Sequence, residues 1–415
     1  MGFVRGVVLA LAFVSPACAQ SAFDGAPGGL ALPAFLKPPS PRPRPVPPAT
    51  PAPAASAGQI SFHGVSLPAR AFSRTDRIPD SLVAAIDATH DSLRLALYDL
   101  NLPAVADAIA RAKGRGVDVK LIYDEGHGAP APAAPGAAPA GPSAEYSRVV
   151  AAGVETRLLK GGGSYGIMHD KIAIFDGELL ETGSFNWTAA ADGSNFENAL
   201  FRDDASLAAL YGAYFDYMWS YGTPVNPSVA QAGAPASFGP PPSDPAPSLS
   251  FKGQAWPRAS FSPAGGTEAR LVSAIGRCTR TLDIAIFSFY SQAVADAVVA
   301  AKNRGVAVRV VGDVSQARRS TQAAGVAAAG VNLLLSSGRG GRGVLHHKFV
   351  LLDGELLATG SYNFSINAES NNFENQFYST DAGDLSAYQA EFEAVWAQAH
   401  APAAGELPGA AVAAR

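Results

Sequence analysis

Hydrophobic and polar positions along this chain follow one order of elements twice. Each half opens with an apolar-periodic helix, and we predict that Asp80 and Thr267 cap these two helices. A β-rich run, an amphipathic helix and a further strand follow, and we place that strand at residues 117–123 in one half and 306–311 in the other. Strands that alternate with helices predict a largely buried sheet covered by helices.

The two copies differ in spacing. Residues 93–98 correspond to residues 282–287, which lie 189 positions later, whereas the motifs farther along are 177 positions apart. The first copy must therefore hold twelve additional residues, and the Pro/Ala-rich run that begins at Gly128 supplies them. Such a composition predicts a surface loop rather than a domain boundary. The internal duplication predicts two domains of ordinary size in the 415 residues.

A block of polar residues is part of the repeat. It reads Met-His-Asp-Lys-Ile-Ala-Ile-Phe-Asp-Gly from Met168 and Leu-His-His-Lys-Phe-Val-Leu-Leu-Asp-Gly from Leu345. Its polar positions, and those that follow, recur at one offset: His169, Lys171, Asp176, Ser184, Asn186 and Glu197 correspond to His346, Lys348, Asp353, Ser361, Asn363 and Glu374. Packing constrains volume rather than the identity of Lys, Asn and Glu, so this repetition indicates a functional site.

The strand pleat predicts which of these side chains meet. Residues two apart point to the same side, so we expect His169 with Lys171, and His346 with Lys348, to enter one cleft. The intervening His347 points away, and we interpret it as a packing or surface residue. The serine and asparagine of each copy have the same spacing, after a glycine that lets the backbone approach a ligand.

The chemistry of this set suits an anionic tetrahedral group. Lysine supplies positive charge, and serine and asparagine supply hydrogen-bond donors where negative charge develops. Phosphate is the natural candidate. Lysine occupies the position where a second metal-binding imidazole or carboxylate would stand, so we expect neither a metal ion nor another cofactor in the reaction.

The duplicated His-x-Lys-x4-Asp-x6-Gly-Ser-x-Asn pattern resembles the phospholipase D superfamily. The resemblance extends over both halves, from about Phe62 to Trp396. It implies the α/β fold class, with two similar α/β/α sandwich domains related by a pseudo-twofold axis and one active site at their junction. It also implies a covalent phosphohistidine mechanism.

The resemblance assigns a role to most of the repeated residues. His169 is the expected nucleophile and His346 the expected general acid and base. In a symmetric site, the two histidines could also have these roles exchanged. Glu197 and Glu374 are expected to orient the histidines. The pleat, rather than the resemblance, indicates the role of Asp176 and Asp353: they stand an odd number of residues after the histidines and precede a glycine, which favours a structural role at a turn over direct chemistry. The remaining positions are expected to hold the phosphate or line its pocket: Lys171, Lys348, Asn186, Asn363, Ser184 and Ser361.

The motif indicates only that a phosphodiester bond is cleaved and does not identify the substrate. We expect a phospholipid, cleaved to phosphatidic acid and free headgroup. A secreted endonuclease, a phosphatidyl transferase similar to cardiolipin synthase and a noncatalytic wall-spanning binding protein are the alternatives. The net charge of −4 does not decide between lipid and nucleic acid. Any membrane contact is expected to be peripheral, and a monomer suffices to complete one site.

Several further side chains could contact the substrate. The basic ones could meet a nucleic-acid backbone or lipid headgroups, and the aromatic ones could meet the acyl chains or headgroup of a lipid; the former could equally be loop residues and the latter core residues. The basic ones lie near the two motifs, and the aromatic ones near the predicted site: Lys160, Arg339, Arg342, Trp187, Phe287, Phe289 and Tyr290. We interpret Cys278 as a buried small residue with no disulfide partner in the mature chain.

The N-terminal segment resembles a secretory signal. We predict a signal peptide at residues 1–19, with an uncleaved anchor helix or lipidation at Cys18 as alternatives, and hence a secreted or periplasmic protein without a transmembrane segment after cleavage. We then predict a Pro/Ala-rich linker at 20–58, phospholipase D-like domains at 59–223 and 257–400, a Pro-rich interdomain linker at 224–256 and a disordered tail at 401–415.

Overall fold

The structure, a computed structural model, describes residues 58–129, 141–225 and 238–409. The predicted signal peptide and nearly all of the first linker lie outside the described residues, as does most of the Pro/Ala-rich run after Gly128. The domain boundaries stay predictions. Within them, residues 249–256 of the predicted interdomain linker form two short strands, and Leu407 of the predicted tail packs in the core of the second half.

The described part of the first half contains, in chain order, β1 (Gln59–Phe62), β2 (Val65–Pro68), β3 (Arg70–Phe72), α1 (Ile78–Ala88), β4 (Ser92–Leu97), α2 (Pro103–Gly114), β5 (Asp118–Asp124), α3 (Glu125–Gly128), α4 (Ala144–Ala151), β6 (Glu155–Leu159), β7 (Lys171–Phe175), β8 (Leu179–Gly183), α5 (Ala189–Gly193), β9 (Asn198–Arg202), α6 (Ala205–Tyr221) and β10 (Thr223–Pro224).

The second half repeats this order with β11 (Leu249–Phe251), β12 (Gln254–Trp256), β13 (Ala259–Ser262), α7 (Thr267–Arg277), β14 (Thr281–Ile286), α8 (Gln292–Asn303), β15 (Ala307–Asp313), α9 (Val314–Ala317), α10 (Thr321–Ala328), β16 (Asn332–Ser336), β17 (Lys348–Leu352), β18 (Leu356–Gly360), α11 (Ile366–Ser370), β19 (Glu374–Ser379) and α12 (Ala382–Trp396).

Each half builds one mixed sheet, and the two sheets have the same topology apart from the additional edge strand β10 of the first. The first has the order β10-β6-β5-β4-β7-β8-β9-β3, and the second has the order β16-β15-β14-β17-β18-β19-β13. The strands β4, β5 and β6 run parallel, as do β14, β15 and β16, and the other pairs in both sheets are antiparallel. Two similar mixed sheets confirm the predicted duplicated α/β fold.

The spacing change between the copies falls where the sequence placed it. Helices α3 and α9 are 189 positions apart, and α4 and α10 are 177 positions apart. The additional residues of the first copy therefore lie between α3 and α4, in the stretch that contains the Pro/Ala-rich run.

The two predicted helix caps are wrong. Helix α1 begins at Ile78, so Asp80 lies inside its first turn, and Thr267 is the first residue of α7 rather than its cap. Pro79 starts α1 early because its fixed φ already suits a helix. Gly266 precedes α7 in the left-handed region, with φ of 71°, which a glycine adopts without strain.

Three apolar clusters hold the fold together. One packs helices α1, α2 and α4 on the first sheet, and a second packs α7, α8 and α10 on the second sheet. The third joins the halves, since it contains residues of β7 and α6 together with residues of β17 and α12. Cys278 is buried, as predicted. Among the described residues, no helix has the length and apolar character needed to cross a membrane.

Candidate active site

The two histidine–lysine pairs lie at the edge where the parallel strands end. His169 and His346 come two residues before Lys171 and Lys348, which begin β7 and β17. Because β7 runs antiparallel to β4, its first residue lies beside the last residue of β4, Leu97. All four side chains are buried, with 6% or less of each residue exposed. The histidines themselves stand just before these strands, and the charge of the neighbouring lysine lowers the pKa of each, which places the two side chains close together.

The backbones of the two halves exchange hydrogen bonds at the histidines. The His169 amide donates to the Phe373 carbonyl at 2.9 Å, and the His346 amide donates to the Phe196 carbonyl at 3.0 Å. The residue after each phenylalanine is the repeated glutamate. Each half therefore delivers its glutamate to the histidine of the other half.

The histidine–glutamate pairing is crossed. His169 Nδ1 lies 2.8 Å from Glu374 Oε2, and His346 Nδ1 lies 2.8 Å from Glu197 Oε2. Both carboxylates are fully buried. With Nδ1 held by a carboxylate, Nε2 of each ring is left for chemistry. The sequence predicted that the glutamates orient the histidines, but it could not show that neither half can do so alone.

Burial weakens the charge of the two lysines. The pKa of Lys171 falls to about 8 and that of Lys348 to about 7, in both cases chiefly because burial disfavours the ammonium. Each ammonium donates to the carbonyl of its own histidine and lies over an aromatic ring, Tyr98 for Lys171 at 4.9 Å and Phe287 for Lys348 at 5.2 Å. A bound anion would favour the charged form of both lysines.

The two histidine–glutamate pairs differ in protonation. Burial lowers the pKa of His169 well below its usual value, and the charges of Lys171, Lys348 and His346 lower it further. The pKa of His346 falls to about 4, chiefly by burial, while the Glu197 carboxylate opposes that fall.

The two glutamates also differ in their pKa values. Burial raises the pKa of Glu374 to about 7, so this carboxyl group is partly protonated near neutral pH. Burial would also raise the pKa of Glu197, but the charge and hydrogen bond of His346, together with Lys348 and Ser184, hold it below its usual value. A carboxylate therefore faces His346, and a partly protonated carboxyl group faces His169.

The repeated serines lie behind the glutamates and are fully buried. Ser184 Oγ donates to Glu197 Oε2 at 2.7 Å, and Ser361 Oγ accepts the Asn375 amide at 3.0 Å. Ser361 also hydrogen-bonds the Glu374 carboxyl group and lowers its pKa, so each serine supports one glutamate, and the expected contact with phosphate stays a prediction.

The repeated asparagines are partly buried. Asn363 Oδ1 accepts the Ser288 amide at 3.3 Å. Asn186 Oδ1 is buried without a hydrogen-bond partner in the described part of the chain. The predicted role of both amides in holding the phosphate remains a prediction.

The repeated aspartates lie at turns away from the histidines. Asp176 and Asp353 follow β7 and β17 with φ of 50° and 55°. The Asp353 carboxylate accepts the backbone amides of Thr279, Arg280 and Thr281, and Asp176 accepts three equivalent amides. This geometry is that of a structural role, in agreement with the pleat argument.

The residues between histidine and lysine turn toward the other half rather than toward solvent. Asp170 accepts hydrogen bonds from Asn375 Nδ2 at 2.8 Å and Tyr214 Oη at 3.0 Å. His347 contacts Asn198 Nδ2 at 2.9 Å and Glu391 Oε1 at 3.3 Å. Both side chains are fully buried, so His347 belongs to a polar network between the halves. Both faces of β7 and β17 are buried. A polar residue that points away from the active site at such a strand needs a hydrogen-bond partner, and this was the signal in the sequence for the network.

The walls beside the two histidines differ, and sequence reasoning missed the first wall. The Tyr98 ring packs edge-on against His169 and His127, with ring centres 4.9 Å and 4.5 Å away. His127 Nδ1 is 3.7 Å from Asp99 Oδ1, and burial lowers the pKa of His127. The offset of 189 places three different residues at the second wall: Phe287, Ser288 and Gln316.

The other candidate contacts divide between core and surface. Trp187 and Phe289 belong to the apolar cores, whereas Phe287 packs edge-on against His346 at 4.8 Å. Arg339 donates to the carbonyls of Ser73 and Asp192, so its guanidinium joins the two halves. Lys160 is exposed.

Comparisons with known proteins agree with this geometry. The family described as "Cardiolipin synthase, PLD-like domain" matches residues 82–219 and 271–396, once in each half. The chain is 35% identical over 129 residues to a mitochondrial cardiolipin hydrolase of Xenopus tropicalis. The matched region covers 31% of this chain and 60% of that protein. It is 31% identical over 129 residues to a phospholipase D of Rickettsia bellii, covering 30% of this chain and 56% of that protein. The chain thus spans less than two thirds of the length of these relatives.

The fold is also similar to a solved structure. Phosphatidylserine synthase of Haemophilus influenzae Rd KW20 superimposes with a TM-score of 0.58, covering 80% of this chain and 87% of that one at 12% identity. The duplicated sheets, the paired histidine–lysine motifs and the family match over both halves lead to one conclusion: this chain belongs to the phospholipase D superfamily of phosphodiesterases.

Proposed function

We propose that this protein hydrolyses phospholipids to phosphatidic acid and a free headgroup alcohol through a phosphohistidine. The crossed pairing of two buried histidines with two buried glutamates carries the proposal. It leaves two Nε2 atoms beside two lysines in one cleft. One imidazole can attack phosphorus while the other transfers protons.

In the first step, neutral His169 is the nucleophile. Its Nε2 attacks phosphorus, the bond from phosphorus to the headgroup oxygen breaks, and protonated His346 donates its Nε2 proton to the leaving oxygen. The lowered pKa of His169 keeps its lone pair free. Burial lowers the pKa of His346 to about 4, and the Glu197 carboxylate opposes that fall. The negative charge of a bound phosphodiester raises this pKa further, so His346 becomes protonated when the substrate binds.

In the second step, His346 acts as a base. It accepts a proton from water, whose oxygen attacks phosphorus as the bond from phosphorus to His169 breaks. Phosphatidic acid leaves, and His346 is again protonated. Lys171 and Lys348 balance the charge on phosphorus in both steps. An alcohol in place of water would give transfer instead of hydrolysis.

Exposed apolar side chains favour lipid over nucleic acid. Tyr165 and Ile366 are 63% and 71% exposed, and they are two of the three large apolar residues exposed in the described ranges. Both belong to one rim, because the Gly162 amide of the Tyr165 loop donates to the carbonyl of Asn371, which directly follows α11. A cavity of about 620 Å³ is lined by parts of the same two segments, among them Gly162, Ser370 and Asn371, but not by Tyr165 or Ile366. The names of the relatives, cardiolipin hydrolase and phospholipase D, also support a lipid. The predicted signal peptide would place this activity outside the cytoplasm.

The test is phosphatidic acid release from mixed micelles in EDTA at 25 °C, for the wild type and the His169→Ala variant. The micelles contain cardiolipin, phosphatidylglycerol or phosphatidylethanolamine in turn. We expect release by the wild type alone. Cleavage of single-stranded DNA without lipid cleavage would overturn the lipid assignment and favour the nuclease. Formation of a phosphatidyl alcohol on addition of butanol would show the transfer route.

A further inference from the structure

One hairpin turn occurs in both halves and carries a basic side chain in each. The turn between β1 and β2 reads Phe62-His63-Gly64, and the turn between β11 and β12 reads Phe251-Lys252-Gly253. His63 and Lys252 both have left-handed backbone, with φ of 44° and 50°. They are 189 positions apart, the offset of the surrounding elements. The duplication therefore provides two versions of one site.

In the second half an ammonium group fills this site. Lys252 Nζ lies 2.7 Å from Asp353 Oδ2 and 3.0 Å from Glu355 Oε1. Because Asp353 also accepts the backbone amides that precede β14, the lysine links three segments: the hairpin, the connection from α7 to β14, and the turn after β17.

In the first half the carboxylates remain and the ammonium is missing. Asp176 and Glu178 correspond to Asp353 and Glu355. His63 Nδ1 lies 3.4 Å from Asp176 Oδ2, and His63 Nε2 lies 3.3 Å from Glu178 Oε2.

A second imidazole joins this first-half site. The His90 ring stacks on the His63 ring, with centres 4.5 Å apart and planes within 5°. The residue that corresponds to His90 in the second half is Thr279. Two imidazoles and two carboxylates thus face the place that one lysine fills in the other half.

The hydrogen bond of His63 prepares one ring nitrogen as a ligand. Its Nδ1 lies 3.0 Å from the Ala88 carbonyl, and a carbonyl only accepts, so Nδ1 carries the proton. The lone pair then belongs to Nε2, on the side of Glu178. Imidazoles that bind metal ions commonly donate their other N–H to a backbone carbonyl in this way.

We propose that the first half binds a zinc ion through His63, His90, Asp176 and Glu178, and that this ion takes the place of the Lys252 ammonium. One possible ligand atom each of His63, His90 and Asp176 lies within 4.8 Å of the other two. Two imidazoles with carboxylates suit zinc better than magnesium or calcium, which prefer oxygen ligands alone.

Binding requires a small local change. Ligands of tetrahedral zinc stand about 2.0–2.2 Å from the ion, so the three ligand atoms must draw together by about 1 Å. Stacked rings direct their lone pairs in parallel planes, so one ring must turn. His90 is exposed and can do so. An open cavity of about 480 Å³ beside His63 and Glu178 gives access from solvent.

A proton on His63 is the competing occupant. Because Nδ1 already carries one proton, this second proton would stand on Nε2 and would satisfy Glu178 without any metal ion, but it gives no role to His90. The site lies at the β1–β2 turn and contains none of the residues assigned to the phosphodiesterase reaction, so the proposal is independent of the proposed function.

The test compares untagged protein after EDTA treatment and dialysis with the same protein given zinc chloride at pH 7.5. We expect titration calorimetry to show about one zinc per chain. At about 100 times the dissociation constant, the unfolding temperature should rise by roughly 3–6 °C. The His90→Ala variant should lose most of this rise.

The His63→Lys variant gives the sharpest result because it copies the second half. It should unfold in EDTA near the temperature of the zinc-loaded wild type, and zinc should no longer change that temperature. The His400→Ala variant is the surface control, since His400 is exposed and pairs with Glu406. His169→Asn controls for zinc at the active site, and both controls should keep the zinc response.

Three results would overturn the proposal. The first is a wild type that neither binds zinc nor gains stability from it. The second is a zinc response that survives both His63→Lys and His90→Ala. The third is a metal-free wild type that gains the same stability on lowering the pH from 7.5 to 6 while zinc does nothing, which would make the proton the occupant.

Discussion

The two halves share their catalytic residues but differ in the groups around them. At the position between histidine and lysine, the first half has Asp170 and the second has His347. Asp170 is hydrogen-bonded by Tyr214, and the residue equivalent to Tyr214 is Glu391, which contacts His347. The carboxylate of this pair therefore comes from the residue before β7 in the first half and from helix α12 in the second, within two copies of the same backbone. The duplicated backbone keeps the geometry, and the side chains around it differ.

The same contrast extends to the crossed glutamates. The pKa of Glu374 is raised to about 7 by burial, whereas Glu197 keeps a lowered pKa because His346, Lys348 and Ser184 outweigh its burial. A pseudo-symmetric site can thus assign different tasks to two identical residue pairs. The predictions below test this difference, from the largest expected effect to the smallest.

The His169→Ala and His346→Ala variants should lose activity at different steps of the reaction. With a p-nitrophenyl phosphodiester, whose leaving group needs little protonation, His346→Ala should release one equivalent of nitrophenol in a burst and then stall as the phosphohistidine. His169→Ala should show no burst and lose roughly 10⁴-fold or more in kcat. Rapid-mixing absorbance and isolation of ³²P-labelled protein measure both outcomes. A burst from His169→Ala alone would reverse the assignment.

Glu197→Gln should cost far more activity than Glu374→Gln. Glutamine resembles the protonated form that Glu374 already partly adopts, so we expect a loss of less than about tenfold there. Loss of the Glu197 carboxylate removes the partner of the His346 imidazolium, and we expect roughly a 100-fold to 1,000-fold decrease in kcat.

The pH profile separates this effect from misfolding. Glu197 raises the pKa of His346, so its removal lowers that pKa and moves the alkaline limb of kcat to lower pH. The comparison of kcat between pH 3.5 and 9, a range that includes the pKa of about 4 for His346 without substrate, measures the shift. Equal losses and unchanged profiles in the two variants would show that the glutamates are equivalent.

The structural aspartates should differ in what they contribute to stability. Asp353 accepts three backbone amides and pairs with Lys252, so Asp353→Asn should lower the free energy of unfolding by about 2–3 kcal/mol. Asp176→Asn in metal-free protein should cost less, because a histidine replaces the lysine there. Asp118→Asn, at an exposed surface pair, is the control and should cost less than about 1 kcal/mol.

The pH dependence of Asp353→Asn has a definite sign. Burial would raise the pKa of Asp353, but Lys252, Cys278 and the backbone amides hold it well below its usual value. Its stabilisation is therefore complete above about pH 4 and is lost as the pH falls toward the pKa of the folded state. Urea unfolding at pH 7 and pH 3.5 should show a smaller difference from wild type at the lower pH. A constant difference would mean that the charge of Asp353 is irrelevant.

Much of the fold could be predicted because its information is local. The spacing of apolar residues was enough to predict the duplicated sheet. The two offsets between the copies, 189 and 177 positions, were enough to locate the insertion. The helix starts were missed because Pro79 and Gly266 fix backbone geometry that a search for capping side chains ignores. The domain boundaries stay predictions.

The candidate site was predictable only within each half. The two-residue pleat places His169 with Lys171 from sequence alone, but the pairing of His169 with Glu374 joins residues 205 positions apart. That contact depends on how the halves pack, which no local pattern specifies. The same reason explains why the network around His347 was missed: the pleat gives the face, but not what covers it.

The smallest expected effect concerns a buried carboxyl group that only the first half has. Glu181 in β8 is fully buried, and neither carboxylate oxygen has a hydrogen-bond partner in the described ranges. The equivalent residue in β18 is Ala358. Burial raises the pKa of Glu181 well above its usual value, and the nearby Trp187 indole opposes this only in part. The folded state thus holds a proton that the unfolded state releases near pH 4.3, and this group costs stability as the pH rises.

Glu181→Met keeps much of the volume and removes the ionisable group, so it should stabilise the protein by about 1–2 kcal/mol at pH 8 and by much less at pH 4.5. Thermal unfolding at the two pH values measures this. Glu155→Met, at an exposed position of β6, is the control for composition and should change neither the stability nor its pH slope. If Glu181→Met were destabilising at both pH values, the contact with Trp187 would outweigh the cost of the buried charge, and the first half would need Glu181 for its stability.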